Sequence, residues 1–291
     1  MQIIDGKKIR DEILADIKKE ISSLSFQPVF CDVLVGDDPA SKQYVEMKAK
    51  NAEKLGMKFH SANFNDTISP EVLVEEIKKL EFVPNICGII IQLPLPKKFT
   101  DRKIILDSVP TKLDVDCLGA IASEKFYKNE NAIGFPTALA CMALLDSLNV
   151  ELKNKKIVVL GQGDLVGKPV TALLKFRGLN PEIIRSNTEN KEAIIKQADI
   201  IISGMGHAKY ITGDMIKTGA ILIDAGTSES EGGIVGDVDL ESVKDVASFV
   251  SPVPGGVGPV TGAMLLRNVL KVAKLEKAGP SLEAQEPTFS K

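Results

Sequence analysis

The chain has 291 residues, 44% of them hydrophobic, with a formal net charge of -3, four cysteines, two histidines and no tryptophan. That length fits one large domain or two ordinary ones with buried cores, while the missing basic block and the scarce aromatics argue against nucleic-acid binding. The longest apolar run, ICGIIIQLPLP, falls far short of the roughly 20 residues that a membrane span needs, and cysteines without C-x-x-C spacing argue for a reducing cytoplasm and against disulfides or a zinc site.

The N-terminus, MQIIDGKKIRDEIL, is charged and amphipathic, unlike a signal peptide. PVFCDVLVG, MKFHSANF and ICGIIIQL then read as strands, separated by the helical patterns SKQYVEMKAKNAEKLG and SPEVLVEEIKKL. Val45, Ala49, Ala52 and Leu55 form one stripe of the first of these helices, and Gly56 stops it. This β-α-β-α-β order predicts a parallel sheet with helices on both faces. Pro136 opens a further helix, ALACMALLDSLNV, which is expected to bridge this unit to the next.

A second alternating series follows, with strands KIVVLG, PEIIRS, ADIIIS, AILIDAG and ASFVS. The helical stretches between them are LVGKPVTALLKFRG, NKEAIIKQ and TGDMIKTG. The fold class is therefore α/β with two doubly wound domains. A last helix, VTGAMLLRNVLKVAKLEK, is expected to pack back on the first domain, and the polar tail at 281–291 is expected to be disordered.

Four segments carry candidate chemistry. GQGDLVGKP, from Gly161, joins a strand to a helix, as a phosphate-binding turn does, but its glycines are spaced G-x-G-x-x-x-G rather than G-x-G-x-x-G. On spacing alone it is equally a plain tight turn. Arg185 and Ser186 end the next strand, where an acid would hold the ribose of NAD; an arginine there suits a 2′-phosphate, or is simply a solvated charge. Tyr44 and Lys48 share a helical face, and a lysine beside an apolar stripe is a candidate acid–base group. Gln92 sits at the carboxyl end of an apolar strand, where doubly wound sheets bind ligands, or else caps its own loop. Asp114 and Asp116 in TKLDVDCLG offer a carboxylate for a substrate amino group, although acids in turns are usually local caps. SPVPGGVGPVTGAML is so rich in glycine and proline that it reads as a rigid loop lying against a flat ligand rather than as packing.

YVEMK, GIIIQLPLP, LDVD, GQGDLVGKP, GDVD and SPVPGGVGPVT occur in one order from about Ile4 to Leu275. Together they resemble the bifunctional methylenetetrahydrofolate dehydrogenase/methenyltetrahydrofolate cyclohydrolase family. The resemblance implies a folate-binding catalytic domain at 1–140 plus 265–280 and an NADP-binding Rossmann-like domain at 141–264. It implies a cytoplasmic homodimer, tetrahydrofolate derivatives as substrates, NADP with NAD as the other option, and no metal. Carried onto this chain, Lys48 is the catalytic lysine, Tyr44 stacks on the folate and helps place Lys48, Gln92 hydrogen-bonds Lys48, and Asp116 grips the pterin. Leu93, Gly258 and Pro259 line the folate site. Gly161, Gln162, Gly163, Arg185, Ser186, Thr227 and Thr261 meet the cofactor.

The sequence departs from that family in places. Its cofactor loop usually reads G-R-S-x-x-V-G-x-P, so Gln162 and Gly163 replace an arginine and a serine, and Arg185 is the expected substitute contact. K-D-V-D-G becomes a segment ending in Cys117, and Thr227 stands where an isoleucine is usual. Three other readings stay open: a cyclohydrolase with weak or NAD-dependent dehydrogenase activity, a non-catalytic folate-binding protein, and a Rossmann dehydrogenase for another acid, which leaves QLPLP and PVPGGVGPVT unexplained.

Overall fold

The computed structural model describes residues 1–230 and 232–278; the expected tail at 281–291 lies outside them. In chain order come β1 (Gln2–Ile3), α1 (Gly6–Ile21), β2 (Val29–Val35), α2 (Pro39–Leu55), β3 (Lys58–Phe64), α3 (Pro70–Lys79), β4 (Ile86–Ile91), α4 (Arg102–Asp107) and α5 (Ala120–Tyr127). They are followed by α6 (Pro136–Asp146), β5 (Ile157–Leu160), α7 (Gly167–Phe176), β6 (Glu182–Ile184), α8 (Lys191–Gln197), β7 (Ile200–Ser203) and β8 (Ile221–Asp224). A hairpin, β9 (Ser228–Ser230) and β10 (Gly233–Val235), then α9 (Leu240–Val243), β11 (Phe249–Val250) and α10 (Val257–Ala278) complete the fold.

The chain forms two compact units. Leu14–Gly134 and the described residues from Leu265 to Ala278 make the first, and Met1–Ile13 with Phe135–Met264 the second. The first thirteen residues thus group with the second unit, not with the first as expected. The reason is pairing: β1 adds to the second unit's sheet beside β11, in parallel.

In the first unit the strand order is β3-β2-β4, all parallel. The chain steps from β2 to one side and then back across it, so right-handed crossovers put α2 and α3 on opposite faces. Local chemistry sets the ends of α2. The Asp38 side chain accepts from Ser41 N at 2.8 Å, Pro39 opens the helix, and Gly56 closes it at φ 93. Val45, Ala52 and Leu55 of the expected stripe are buried. Every residue of β2 and β4 is buried, and sealing such strands supplies most of the favourable free energy. Asn268 on α10 donates to Val115 O at 2.9 Å and to Gly134 O at 2.7 Å, so the end of the last helix does belong to the first unit.

In the second unit the order is β1-β11-β8-β7-β5-β6. The chain runs outward from β5 to β6 and returns across β5 to β7, which makes the carboxyl ends of β5 and β7 the switch point of the sheet. Its core is built on Val158, Leu160, Ile201 and Leu222. Helix α6 starts at Pro136, as expected, but groups with this unit rather than bridging. TGDMIKTG is not a helix; only Gly213–Met215 make a 3-10 turn. A Cβ on Gly213 would sit 2.2 Å from Ser242 O, so this glycine serves a close backbone approach.

Candidate functional site

The first unit brings together polar side chains from the middle of β2, from α2 and from just after β4. Lys48, on α2, has its Nζ 2.5 Å from Asp32 Oδ2 and donates to Gln92 Oε1 at 2.7 Å. Gln92 follows β4. Its Nε2 donates to Leu93 O at 2.6 Å, which turns the amide oxygen toward the lysine. Gln92 therefore both caps its loop and holds Lys48, so the two sequence readings of it coexist. The Leu93–Pro94 peptide is cis. Tyr44, one turn before Lys48 on α2, is 49% exposed.

The two turn acids divide their roles. Asp114 is buried and accepts from Gly119 N at 2.7 Å; it is a local cap. Asp116 keeps some open surface and lies in the field of Lys48. Burial, then the neighbouring Asp114 charge, pushes its carboxyl up to about 7, with Lys48 opposing and Asp32 adding to the rise. Cys117 has a left-handed φ of 61, which accounts for the glycine that the resemblance places there.

Asp32 is the residue that sequence reasoning missed. It lies in the middle of β2, has no exposed surface, and its Oδ1 has no hydrogen-bond partner. Burial raises its pKa, and Lys48 counters that rise. The signal was present: VFCDVLV is an apolar strand with a single acid in it. A carboxylate sealed in such a strand costs several kcal/mol unless it is paired. The thiols of Cys31 and Cys141 are pushed up to about 12 and that of Cys87 to about 11, each mainly by burial, so they are poor nucleophiles.

In the second unit the loop after β5 is shaped by what it lacks. Gly161 adopts φ 85, and a Cβ on it would lie 2.8 Å from Gly204 O; a Cβ on Gly167 would lie 2.1 Å from Gly161 O. Both positions exclude a side chain. Gly163, in contrast, has open space around it. The steric requirement is therefore for Gly161 and Gly167, and the odd spacing of the three glycines loses its meaning. The loop presents backbone to the N-terminus of α7, a ready anion site, and its shape fits a dinucleotide phosphate. Gln162 folds inward, donating to Gly161 O at 2.8 Å and Thr171 Oγ1 at 3.2 Å.

Gly161 N also donates to Ile184 O at 2.9 Å, which ties the loop to the end of β6. Arg185 and Ser186 follow directly and are exposed. Thr227 is exposed beyond β8. Two buried acids interlock the loops after β7 and β8. Asp224 accepts from the backbone N–H groups of Gly226, Asp237 and Val238. Asp237 accepts from Ser203 Oγ and from the N–H groups of Met205 and His207. Burial pushes Asp224 up to about 6.

The PGG segment is partly packing, contrary to expectation. A Cβ on Gly256 would lie 2.6 Å from Pro252 O, and one on Gly6 would lie 1.9 Å from Gly256 O. Gly258, by contrast, has nothing nearby that excludes a side chain. With Pro259 it opens α10, where Thr261 Oγ1 donates to Val257 O at 3.1 Å. Among the described residues, no group of three or more His, Cys, Asp and Glu side chains is placed to hold a metal ion, and no helix is long and apolar enough to cross a membrane.

The chain matches two family models: the catalytic domain of tetrahydrofolate dehydrogenase/cyclohydrolase over residues 4–116, and its NAD(P)-binding domain over residues 136–277. It is 40% identical over 278 residues to the bifunctional protein FolD of Nautilia profundicola, covering 94% of this chain and 98% of that one. The crystal structure of the bifunctional FolD methylenetetrahydrofolate dehydrogenase/cyclohydrolase from Campylobacter jejuni superposes with a TM-score of 0.89 at 35% identity, covering 95% and 99% of the two chains. The Trypanosoma brucei enzyme, complexed with NADP cofactor and inhibitor, gives a TM-score of 0.86 at 32% identity, covering 94% and 98%. This chain belongs to the tetrahydrofolate dehydrogenase/cyclohydrolase family, with both of that family's domains in their expected order.

Proposed function

We propose that this chain oxidises 5,10-methylenetetrahydrofolate to the methenyl form with NADP+ and hydrolyses the methenyl form to 10-formyltetrahydrofolate. The observation that carries this reading is Lys48, whose amine is fixed by Asp32 and Gln92 and whose side chain keeps 16% exposure. A structural lysine needs no such double anchorage and no opening to solvent.

Hydrolysis balances on one proton relay. Water adds to the methenyl carbon, the C–N5 bond breaks, one water proton ends on N5, and the other leaves to solvent. Lys48 is the group placed to move that proton. Tyr44 offers its exposed ring to the flat pterin, Asp116 accepts from the pterin's amino group, and Leu93 supplies apolar surface. When bound, NADP+ supplies the hydride acceptor. The backbone of Gly161, Gln162 and Gly163 and the start of α7 would hold its phosphates, Arg185 and Ser186 would take its 2′-phosphate, and Thr227 and Thr261 would be further contacts. A cytoplasmic homodimer completes the reading.

One observation favours a second reading. The Gln162 side chain is engaged within its own loop and Gly163 has none, so the two side-chain phosphate contacts usual in this loop are missing and Arg185 is the substitute. A cyclohydrolase with weak or NAD-dependent oxidation would follow if Arg185 does not supply them. Lys48→Met tests the main reading. It is expected to lower methenyl hydrolysis by about 10²–10⁴-fold, the usual worth of an acid–base group, while folate binding measured by calorimetry changes little. Unchanged hydrolysis in Lys48→Met would remove Lys48 from the reaction.

A further inference from the structure

Asp32 presents a problem that stability does not solve. It is fully buried on β2, among residues that are all apolar apart from it. Replacing a buried ion pair by apolar side chains is often neutral or stabilising, so the fold itself does not call for this carboxylate. Nor does Asp32 reach a substrate, since it has no exposed surface. What it touches is the amine of Lys48.

We propose that Asp32 is a positioning residue for the hydrolytic step: its carboxylate fixes the Lys48 amine opposite Gln92 and balances its charge beside a cationic substrate. The inference rests on the folate reading above. The methenyl group carries a positive charge shared between N5 and N10, and a bare ammonium beside it repels it. Paired with Asp32, the lysine presents a neutral unit. Geometry points the same way. The amine has three donors; acceptors at 2.5 Å and 2.7 Å, on β2 and after β4, engage two of them. The third is left for water or N5. The methylene substrate of the oxidation step lacks that fixed charge, so oxidation depends less on Asp32.

The charged and titratable groups around the pair are few. Asp116 approaches from the turn before α5, with the charge of Asp114 beside it. Cys31 neighbours Asp32 on β2 and stays a neutral thiol, its pKa pushed up to about 12 by burial and then by Asp32. Tyr44 lies one turn away on α2. Asp32 places a carboxylate 2.5 Å from the Lys48 amine, and removing that negative charge is expected to move the hydrolytic limb of the pH–rate profile to lower pH.

The test uses the full chain as wild type, Asp32→Asn and Asp32→Val, with thermal melts to confirm folding. Methenyl hydrolysis and NADP+-linked oxidation are each followed from pH 5.5 to 9. Both variants are expected to lose about 100-fold in hydrolytic kcat/KM but less than about 10-fold in oxidation, and to shift the hydrolytic limb by about one pH unit or more. Asn keeps the shape of Asp, so full hydrolysis in Asp32→Asn would show that shape and not charge matters, and would overturn the proposal. An equal fall in both reactions with an unmoved pH profile would also overturn it, leaving Asp32 structural. A wild type inactive in both assays would instead overturn the folate reading, and this inference with it.

Discussion

The Lys48 cluster and the Gly161 loop are built in opposite ways. In the first unit, chemistry comes from polar and charged atoms set into an apolar wall: Asp32 in the middle of β2, Lys48 on the covering helix, the Gln92 amide at the end of β4. In the second, it comes from atoms left out: Gly161 and Gly167 have no room for a Cβ, so backbone lies bare at the start of α7. A charged cluster should be sensitive to protonation and to loss of a partner. A loop built by omission should be sensitive to added volume and indifferent to neutral changes where space is open.

The largest effect expected in the loop is that of Gly167→Ala. Its new methyl would lie 2.1 Å from Gly161 O, a backbone atom that cannot swing away. A loss of roughly 1–3 kcal/mol in urea unfolding is expected, the usual cost of overpacking, together with weakened nucleotide binding. Unaltered unfolding and binding would mean that the loop is not held by steric exclusion.

Next in size is Arg185→Ala. Losing a charge-assisted contact worth about 1.5–3 kcal/mol should raise KM for NADP+ by about 10-fold or more and leave KM for NAD+ nearly unchanged. Equal use of both cofactors by wild type and variant would remove Arg185 from the 2′-phosphate site.

The charged cluster is sharpened by pH. Asp116 rises from about 3.8 to about 7 on folding, so between those values the folded state holds a proton that the unfolded state lacks. The stability it contributes is fully present below about pH 4 and is lost as pH rises through 7. Urea unfolding at pH 5 and pH 8 should show wild type losing on the order of 1 kcal/mol more than Asp116→Asn over that interval. Equal losses would place Asp116 outside the buried field. The smallest effect is that of Gly163→Ser. Open space surrounds Gly163, so stability should change by less than about 0.5 kcal/mol, while the hydroxyl added to the loop before α7 is expected to tighten NADP+. A large loss of stability would show that the space is not available.

Most of the architecture was legible because strand and helix periods are local. The alternating runs from Val29 to Ile91 and from Ile157 to Asp224 became the expected parallel strands. The pairing of Lys48 with Gln92 was expected through the resemblance; periodicity alone put one on a helical face and the other at a strand end. What failed was non-local. β1 is two residues long, and only its pairing with β11, near the other end of the chain, assigns it to the second unit. TGDMIKTG has a helical pattern, but a close approach to Ser242 O holds Gly213 in a turn. GDVD was read only through a resemblance; its Asp237 anchors Ser203, Met205 and His207, contacts that no spacing reveals. Asp32 was passed over because a strand rich in Val reads as core, and one acid in it does not disturb the period.

The most direct test is to mix the purified chain with 5,10-methylenetetrahydrofolate and either NADP+ or NAD+, following reduced cofactor, and in parallel to follow the loss of added methenyltetrahydrofolate. The account predicts reduction of NADP+ in preference to NAD+, together with loss of the methenyl form, from one preparation. Methenyl loss without any reduction would contradict it, and would mean that the altered loop at Gln162 and Gly163 has left a cyclohydrolase.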